Sequence, residues 1–297
     1  MFRIPVLWST VLLLACGART STQPTTTSQS ATPTLGTTGS GGSVVGCGEL
    51  VIGHLEATDP MADLFDRCVS AFGVKTYGAP NVADDDLMHA AIVTAEWLDN
   101  DEDGLADDAA VVASLVDEGA FNVIFQSEQD FENSPFLNAS ASDGPWQPTW
   151  VSEMNPTGPP FFDATVEEVL HLINVFGHAM TYTDRLAFWT DSDLTAAMDL
   201  ARGGHFTSVP QQYPEEAWYH YDDATCDYGC MAVEYLYWSI TTRAGMQADS
   251  TRCEWISDEW EPCTSAALEQ TDVAIWALLT DAELGLPSNA PDGVYAP

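Results

Sequence analysis

Residues 85–117 have the sequence DDLMHAAIVTAEWLDNDEDGLADDAAVVASLVD, which predicts two helices joined by an acidic loop. Apolar residues recur at helical spacing in residues 85–98 and in residues 109–117. Residues 119–127, GAFNVIFQS, have the aromatic and β-branched composition typical of a strand. Apolar residues also recur at helical spacing in five other segments, which are residues 60–72, 165–176, 192–201, 229–243 and 264–279. We therefore expect a mostly α fold with a small sheet or a single hairpin. An α+β fold is the alternative.

The acidic loop carries alternating carboxylates. Asp99, Asp101 and Asp103 are followed by Gly104, and alternating aspartates can place three carboxylates around a Ca²⁺ ion, which prefers oxygen ligands. The DxDxDG pattern resembles the calcium loops of EF-hands and thrombospondin type 3 repeats. This resemblance implies two more ligands, which are the backbone carbonyl of Leu105 and the side chain of Asp107.

The twelfth position of the predicted calcium loop, residues 99–110, departs from the EF-hand pattern. An EF-hand has a bidentate glutamate there, whereas this chain has Ala110. Asp108 or water would have to supply the missing ligand. We expect a structural calcium ion rather than a calcium switch. The alternative is an acidic turn and helix cap without metal.

The composition excludes some partners and leaves two explanations for the acidity. The 297 residues contain 8 Lys+Arg and 45 Asp+Glu, which gives a formal net charge of −37. Such a surface repels phosphate backbones, so we expect no nucleic-acid partner. The carboxylates indicate either a surface suited to a saline environment or groups that bind cations. With 45% hydrophobic residues, residues 46–297 can form one globular domain.

The N-terminal sequence MFRIPVLWSTVLLLACG predicts export. Its apolar run is too short to span a bilayer and is typical of a signal peptide. The tetrapeptide LLAC resembles the bacterial lipobox, which implies that residues 1–16 are a signal peptide and that Cys16 receives lipid. Gly17 after it, rather than aspartate, implies an outer-membrane anchor. Ordinary cleavage just past Cys16 is the alternative, and residues 17–45 predict a flexible Ser/Thr/Gly tether.

Six cysteines follow Cys16, and an even number in an exported chain predicts disulfides. The sequence does not choose among the pairings. The simplest arrangement joins neighbours and would pin the C-terminal half of the chain: Cys47–Cys68, Cys226–Cys230 and Cys253–Cys263.

The stretch EEVLHLINVFGH begins at Glu167 and places Glu167, His171 and His178 on one face of a straight helix. It resembles the HExxH zinc helix of zincin metallopeptidases, with glutamate in place of the first histidine. The resemblance implies that Glu168 is a general base and that Glu167 and His171 bind zinc or another transition metal. The alternative is a hydrogen-bonded polar crevice without metal.

A third ligand would have to come from elsewhere in the chain. Glu234 lies on a later predicted helix, as the third ligand does in gluzincins, and His178 is the other candidate. In either case we expect Glu167, Glu168, His171 and Glu234 to converge on one crevice.

Residues 217–238, AWYHYDDATCDYGCMAVEYLYW, combine aromatic and acidic side chains. This mixture is typical of clefts that bind peptides or polysaccharides, and it is equally typical of a disulfide-pinned core. The serine-hydrolase elbow, the P-loop and the dinucleotide fingerprint do not occur in the sequence.

Together these patterns predict an exported, membrane-anchored calcium-binding protein with a second, zincin-like metal site and peptidase-like, metal-dependent hydrolysis. We expect the N-terminal lipid to be its contact with the membrane. The alternative is a non-catalytic surface protein that binds a polymer or a partner protein through the aromatic, acidic cleft.

Overall fold

The computed structural model describes residues 45–139, 144–154 and 163–297, and they form an α+β fold around a five-stranded sheet. The strands are β1 (Gly53–His54), β2 (Arg67–Ala71), β3 (Val74–Gly78), β4 (Phe121–Phe125) and β5 (Trp146–Trp150), in that order across the sheet. Neighbours from β1 to β3 are antiparallel, and those from β3 to β5 are parallel. The expectation of a mostly α fold is therefore wrong, because about 12% of the chain is strand beside about 44% helix.

Most of the predicted helices are present. The helices are α1 (Asp84–Leu98), α2 (Ala109–Glu118), α3 (Glu128–Glu132), α4 (Ala164–Ile173), α5 (Ala179–Thr181), α6 (Thr183–Leu186), α7 (Asp193–Ala201), α8 (Tyr228–Arg243), α9 (Ser250–Ile256), α10 (Ser265–Thr271) and α11 (Val273–Leu279). A π-helical turn at Asn174–His178 joins α4 to α5. The predicted signal peptide, Cys16 and the tether up to residue 44 lie outside the described residues.

Residues 60–72, where the apolar spacing predicts a helix, form turns followed by the strand β2. Cys68 is bonded to Cys47 and lies in β2. The strand returns as β3 through Phe72 and Gly73, whose φ angles are 50° and 82°. Positive φ at both residues is typical of the two-residue hairpin turn that matches strand twist. Cross-strand pairing thus overrides the helical spacing.

The strand β5 lies in a region whose Pro, Asn and Ser content predicts a loop. All five of its residues are buried, and Phe131 packs against Trp146 and Trp150 with ring centroids 5.7 and 4.8 Å apart. Pro148 is tolerated because β5 is the last strand of the sheet, where a missing N–H removes no ladder hydrogen bond.

The sheet positions both predicted metal sites. The chain crosses from β3 to β4 through α1, the acidic loop and α2, so the loop lies within a parallel crossover connection. Helix α1 packs on β2 and β3, while α4 packs on β5, on α1 and on α8. The aromatic helix α8 is also packed against α7, α10 and α11.

The three disulfides join the neighbouring cysteines, which is the simplest of the pairings that the sequence leaves open. They are Cys47–Cys68, Cys226–Cys230 and Cys253–Cys263. Two of them therefore pin the C-terminal half. Within the described parts of the chain, no helix combines the length and the apolar character that crossing a membrane requires.

Candidate metal centres

Helices α4 and α8 bring together three of the predicted ligands. Glu167 and His171 lie one turn apart on α4, and Nε2 of His171 is 3.6 Å from Oε1 of Glu167. The same nitrogen is 3.5 Å from Oε1 of Glu234 on α8. One ligand atom from each residue lies within 4.8 Å of the others. Ligand atoms bound at about 2.1 Å around a tetrahedral ion are about 3.4 Å apart, so this group is close to binding geometry.

The packing of α4 against α8 buries two of the three residues. His171 is 2% exposed and Glu234 is 7% exposed, whereas Glu167 is only partly buried. The ring of Tyr237 covers His171 at a centroid distance of 5.5 Å. Nδ1 of His171 has no hydrogen-bond partner among the described residues. A buried ring nitrogen without a hydrogen-bond partner costs stability. The orientation of the ring must therefore come from packing and from the groups that Nε2 binds.

Burial and the neighbouring charges both shift the pKa values of this group. Burial raises the pKa of Glu234 to about 8, against the effect of His171 and with a contribution from Glu167. Burial alone would lower the pKa of His171, but Glu234 and Glu167 raise it. Glu234 therefore retains a proton at neutral pH when no metal is present, and a divalent ion would replace it.

Glu168 lies beside this group but faces the sheet. It is 0% exposed, and its Oε2 accepts a hydrogen bond from Nε2 of Gln147 on β5. Burial raises its pKa well above the ordinary value, Glu167 and Glu153 add to this effect, and Gln147 opposes it. Its Oε1 has no partner among the described residues. The sequence gives no signal for Gln147, because the contact depends on β5, which lies in a segment with the Pro, Asn and Ser content typical of a loop.

The structure does not bring His178 into the group. The π-helical turn adds a residue to the helix, so the face predicted for a straight helix is not maintained beyond Ile173. Nδ1 of His178 is 3.0 Å from Oδ1 of Asn174, and the side chain is 3% exposed. Burial lowers its pKa to about 4. His178 is a buried neutral residue of the turn rather than the third ligand.

The acidic loop gathers three of its four predicted carboxylates. Ligand atoms of Asp99, Asp101 and Asp107 lie within 4.8 Å of one another. Asp99 is 0% exposed, and its carboxylate accepts hydrogen bonds from the backbone N–H of Asp103 at 3.1 Å and of Gly104 at 2.8 Å. Gly104 has a φ of 87°, which allows the sharp turn.

The remaining loop residues have other contacts. Oδ1 of Asp103 accepts the backbone N–H of Leu105, whose side chain is 61% exposed. Asp108 caps α2 by accepting from the backbone of Ala110 and Val111, and it also accepts from the hydroxyl of Tyr182. Asp108 therefore has a structural role that competes with its use as the missing ligand.

Most of the aromatic residues of 217–238 lie in the core, whereas Trp218 and Tyr228 are only partly buried against it. Tyr219 and Tyr235 are each 0% exposed, and Tyr237 and Trp238 are buried with them. Tyr235 and Trp218 both donate to Asp272, at 2.5 and 2.8 Å. A surface cavity lined by Lys75, among other residues, contains none of the predicted site residues. Comparison with known proteins gives no match to a family model, to a curated protein or to a solved structure.

Proposed function

We propose that this protein is a two-site metalloprotein. It holds calcium in the loop at residues 99–110 and a divalent transition metal, zinc by its resemblance to zincins, between Glu167, His171 and Glu234. The observation that carries the proposal is the convergence of one imidazole and two carboxylates from two packed helices within 4.8 Å. Imidazole and carboxylate together suit zinc and neighbouring first-row metals.

The second site has the number of protein ligands of a catalytic rather than a structural metal centre. Structural zinc sites use four protein ligands, whereas catalytic ones use three and leave a position for water or substrate. A metal held by Glu167, His171 and Glu234 would polarise a carbonyl or activate water for hydrolysis of a peptide-like bond. The proposed activity is therefore metal-dependent hydrolysis.

Glu168 is the proposed general base, on two conditions: its carboxylate, which faces Gln147 on β5, would have to turn toward the metal, and it would have to be ionised. A base must be ionised, and the burial and negative neighbours of Glu168 raise its pKa. A divalent cation held by Glu167 would offset part of that repulsion and favour the ionised form. Glu168→Gln should therefore retain the metal and abolish hydrolysis, because the substitution removes a base and not a ligand.

We also propose that the chain is exported and anchored to the outer membrane through lipid on Cys16. The N-terminal sequence supports this, and three disulfides are typical of an oxidising compartment. The intact mass of the membrane-extracted protein should show a lipid adduct that Cys16→Ser lacks. An unmodified N-terminus in both proteins would contradict the anchor.

Elemental analysis of the purified protein tests the transition-metal site. Wild type should hold close to one transition-metal ion per chain, and His171→Ala should lose it. His205→Ala is the matched control, because His205 also lies beside a carboxylate, with Nδ1 2.8 Å from Oδ2 of Asp199, but is exposed on the surface. Calcium as the sole bound metal in wild type would contradict the second site and favour a non-catalytic surface protein.

A further inference from the structure

The segment 288–296, here called the strap, lies along the end of α1 and the acidic loop. Asn100 and Asn289 make the first contact. Oδ1 of Asn100 accepts the backbone N–H groups of Ser288 and Asn289, each at 2.8 Å. Nδ2 of Asn100 donates to the carbonyl of Asn289 at 2.9 Å, and Nδ2 of Asn289 donates to the carbonyl of Asn100 at 2.8 Å. Asn100 is flanked in sequence by two of the proposed calcium ligands.

A buried carboxylate holds the middle of the strap. Glu96 on α1 is 3% exposed, and its Oε1 accepts the backbone N–H of Asp292 at 2.9 Å and of Gly293 at 3.1 Å. Gly293 has a φ of 78°, and a Cβ added there would lie 3.2 Å from the ring of His89. The strap therefore fits α1 closely at Gly293.

The end of the strap contacts the acidic loop itself. The hydroxyl of Tyr295 donates to Oδ2 of Asp99, and the backbone N–H of Ala296 donates to Oε2 of Glu102 at 3.2 Å. The ring of Tyr295 also meets Phe72 edge-on at a centroid distance of 6.4 Å. Docking of the strap thus requires the loop to hold Asp99, Asn100 and Glu102 in this one arrangement.

We propose that the strap and the cation in the acidic loop stabilise each other's binding, which rests on the proposed calcium site. Without a cation, Asp99, Asp101 and Asp107 repel one another, and that repulsion opposes the closed loop that the strap needs. With a cation, the closed loop is the stable one. The hydrogen bond from Tyr295 in turn holds the carboxylate of Asp99 in place. Oδ1 of Asp99 has two lone pairs, and the backbone N–H of Asp103 occupies one of them. The second lone pair is left for the ion.

Thermodynamic linkage makes the coupling reciprocal. If bound calcium raises the affinity of the strap for the loop by some factor, undocking the strap must lower the affinity of the loop for calcium by the same factor. Such factors are about 5–150-fold in proteins. Gly293→Ala should undock the strap without touching a calcium ligand, because the new Cβ is strained and crowds His89. Asn289→Ala is the second perturbation. Val294→Ala is the matched control, since that side chain is 65% exposed.

The experiment combines calcium titration calorimetry with hydrogen exchange of the strap amides in calcium and in chelator. We expect the Kd for calcium to rise about tenfold in Gly293→Ala and in Asn289→Ala, and to stay unchanged in the control. In wild type, calcium should slow exchange at the amides of residues 293 and 294. Equal Kd values in all four proteins, with calcium bound, would overturn the coupling and leave the calcium site standing. If wild type binds no calcium, the proposed site fails and the coupling fails with it.

Discussion

Acid should unfold this protein partly by charging His178. The side chain is 3% exposed at the π-helical turn, and burial lowers its pKa from 6.5 to about 4. In the unfolded chain the imidazole regains its ordinary pKa and takes up a proton near pH 6.5. Stability from the neutral side chain is therefore fully present above that pH and is lost as the pH falls toward 4.

The size of the loss follows from the difference between the two pKa values. Each pKa unit corresponds to about 1.4 kcal/mol, so a shift from 6.5 to about 4 corresponds to about 3 kcal/mol of unfolding free energy. About 2 kcal/mol of this should be lost by pH 5. That is a large share of the total stability of a typical domain, about 5–15 kcal/mol.

Urea unfolding followed by tryptophan fluorescence between pH 7.5 and 4.5 would measure this loss. The variant His178→Gln keeps a polar side chain that does not titrate, so its unfolding free energy should fall less steeply than that of wild type below pH 6.5. His205→Gln, at an exposed position, should keep the wild-type slope. Parallel curves for wild type and His178→Gln would refute the argument.

Three further predictions concern packing, calcium and the disulfides. Gly177→Ala should destabilise the protein by about 1–3 kcal/mol in urea unfolding, because its Cβ would lie 2.7 Å from Cγ1 of Val111, and Val111→Ala should restore most of the loss. Calcium at a hundredfold excess over its Kd should add about 2.7 kcal/mol. The resulting rise in melting temperature should disappear in Asp101→Asn; equal melting with calcium and chelator in wild type would contradict the site. Alkylation of the denatured, unreduced protein should modify none of the six downstream cysteines, and two free thiols would contradict the pairing.

Helices and side-chain pairs that depend on residues three or four apart can be predicted from the local sequence. The apolar spacing of α1 and α2 depends on residues three and four apart, and both helices form where that spacing predicts them. Glu167 and His171 meet for the same reason, as an i,i+4 pair. The placement of Glu234 beside them came from the zincin resemblance, because helical periodicity does not relate two helices to each other.

Contacts between distant parts of the chain account for what the sequence did not predict. β2 and β5 are strands because of their partners, and neither the helical spacing around Cys68 nor Pro148 in β5 indicates this. The π-helical turn fits against α2, where the hydroxyl of Ser114 donates to the carbonyl of Phe176 at 2.7 Å. The strap is bound by Glu96, which is separated by 196 residues from Asp292. The periodicity of apolar residues in the sequence does not predict a contact between residues so far apart in the chain.

An anomalous diffraction map collected at the absorption edge of the bound metal would test the central claim most directly. The proposed site predicts one peak about 2.0–2.2 Å from Oε1 of Glu167, Nε2 of His171 and Oε1 of Glu234. The same peak should be missing in crystals of His171→Ala. A map from zinc-loaded crystals without a peak at these three atoms, or with zinc only in the acidic loop, would contradict the account.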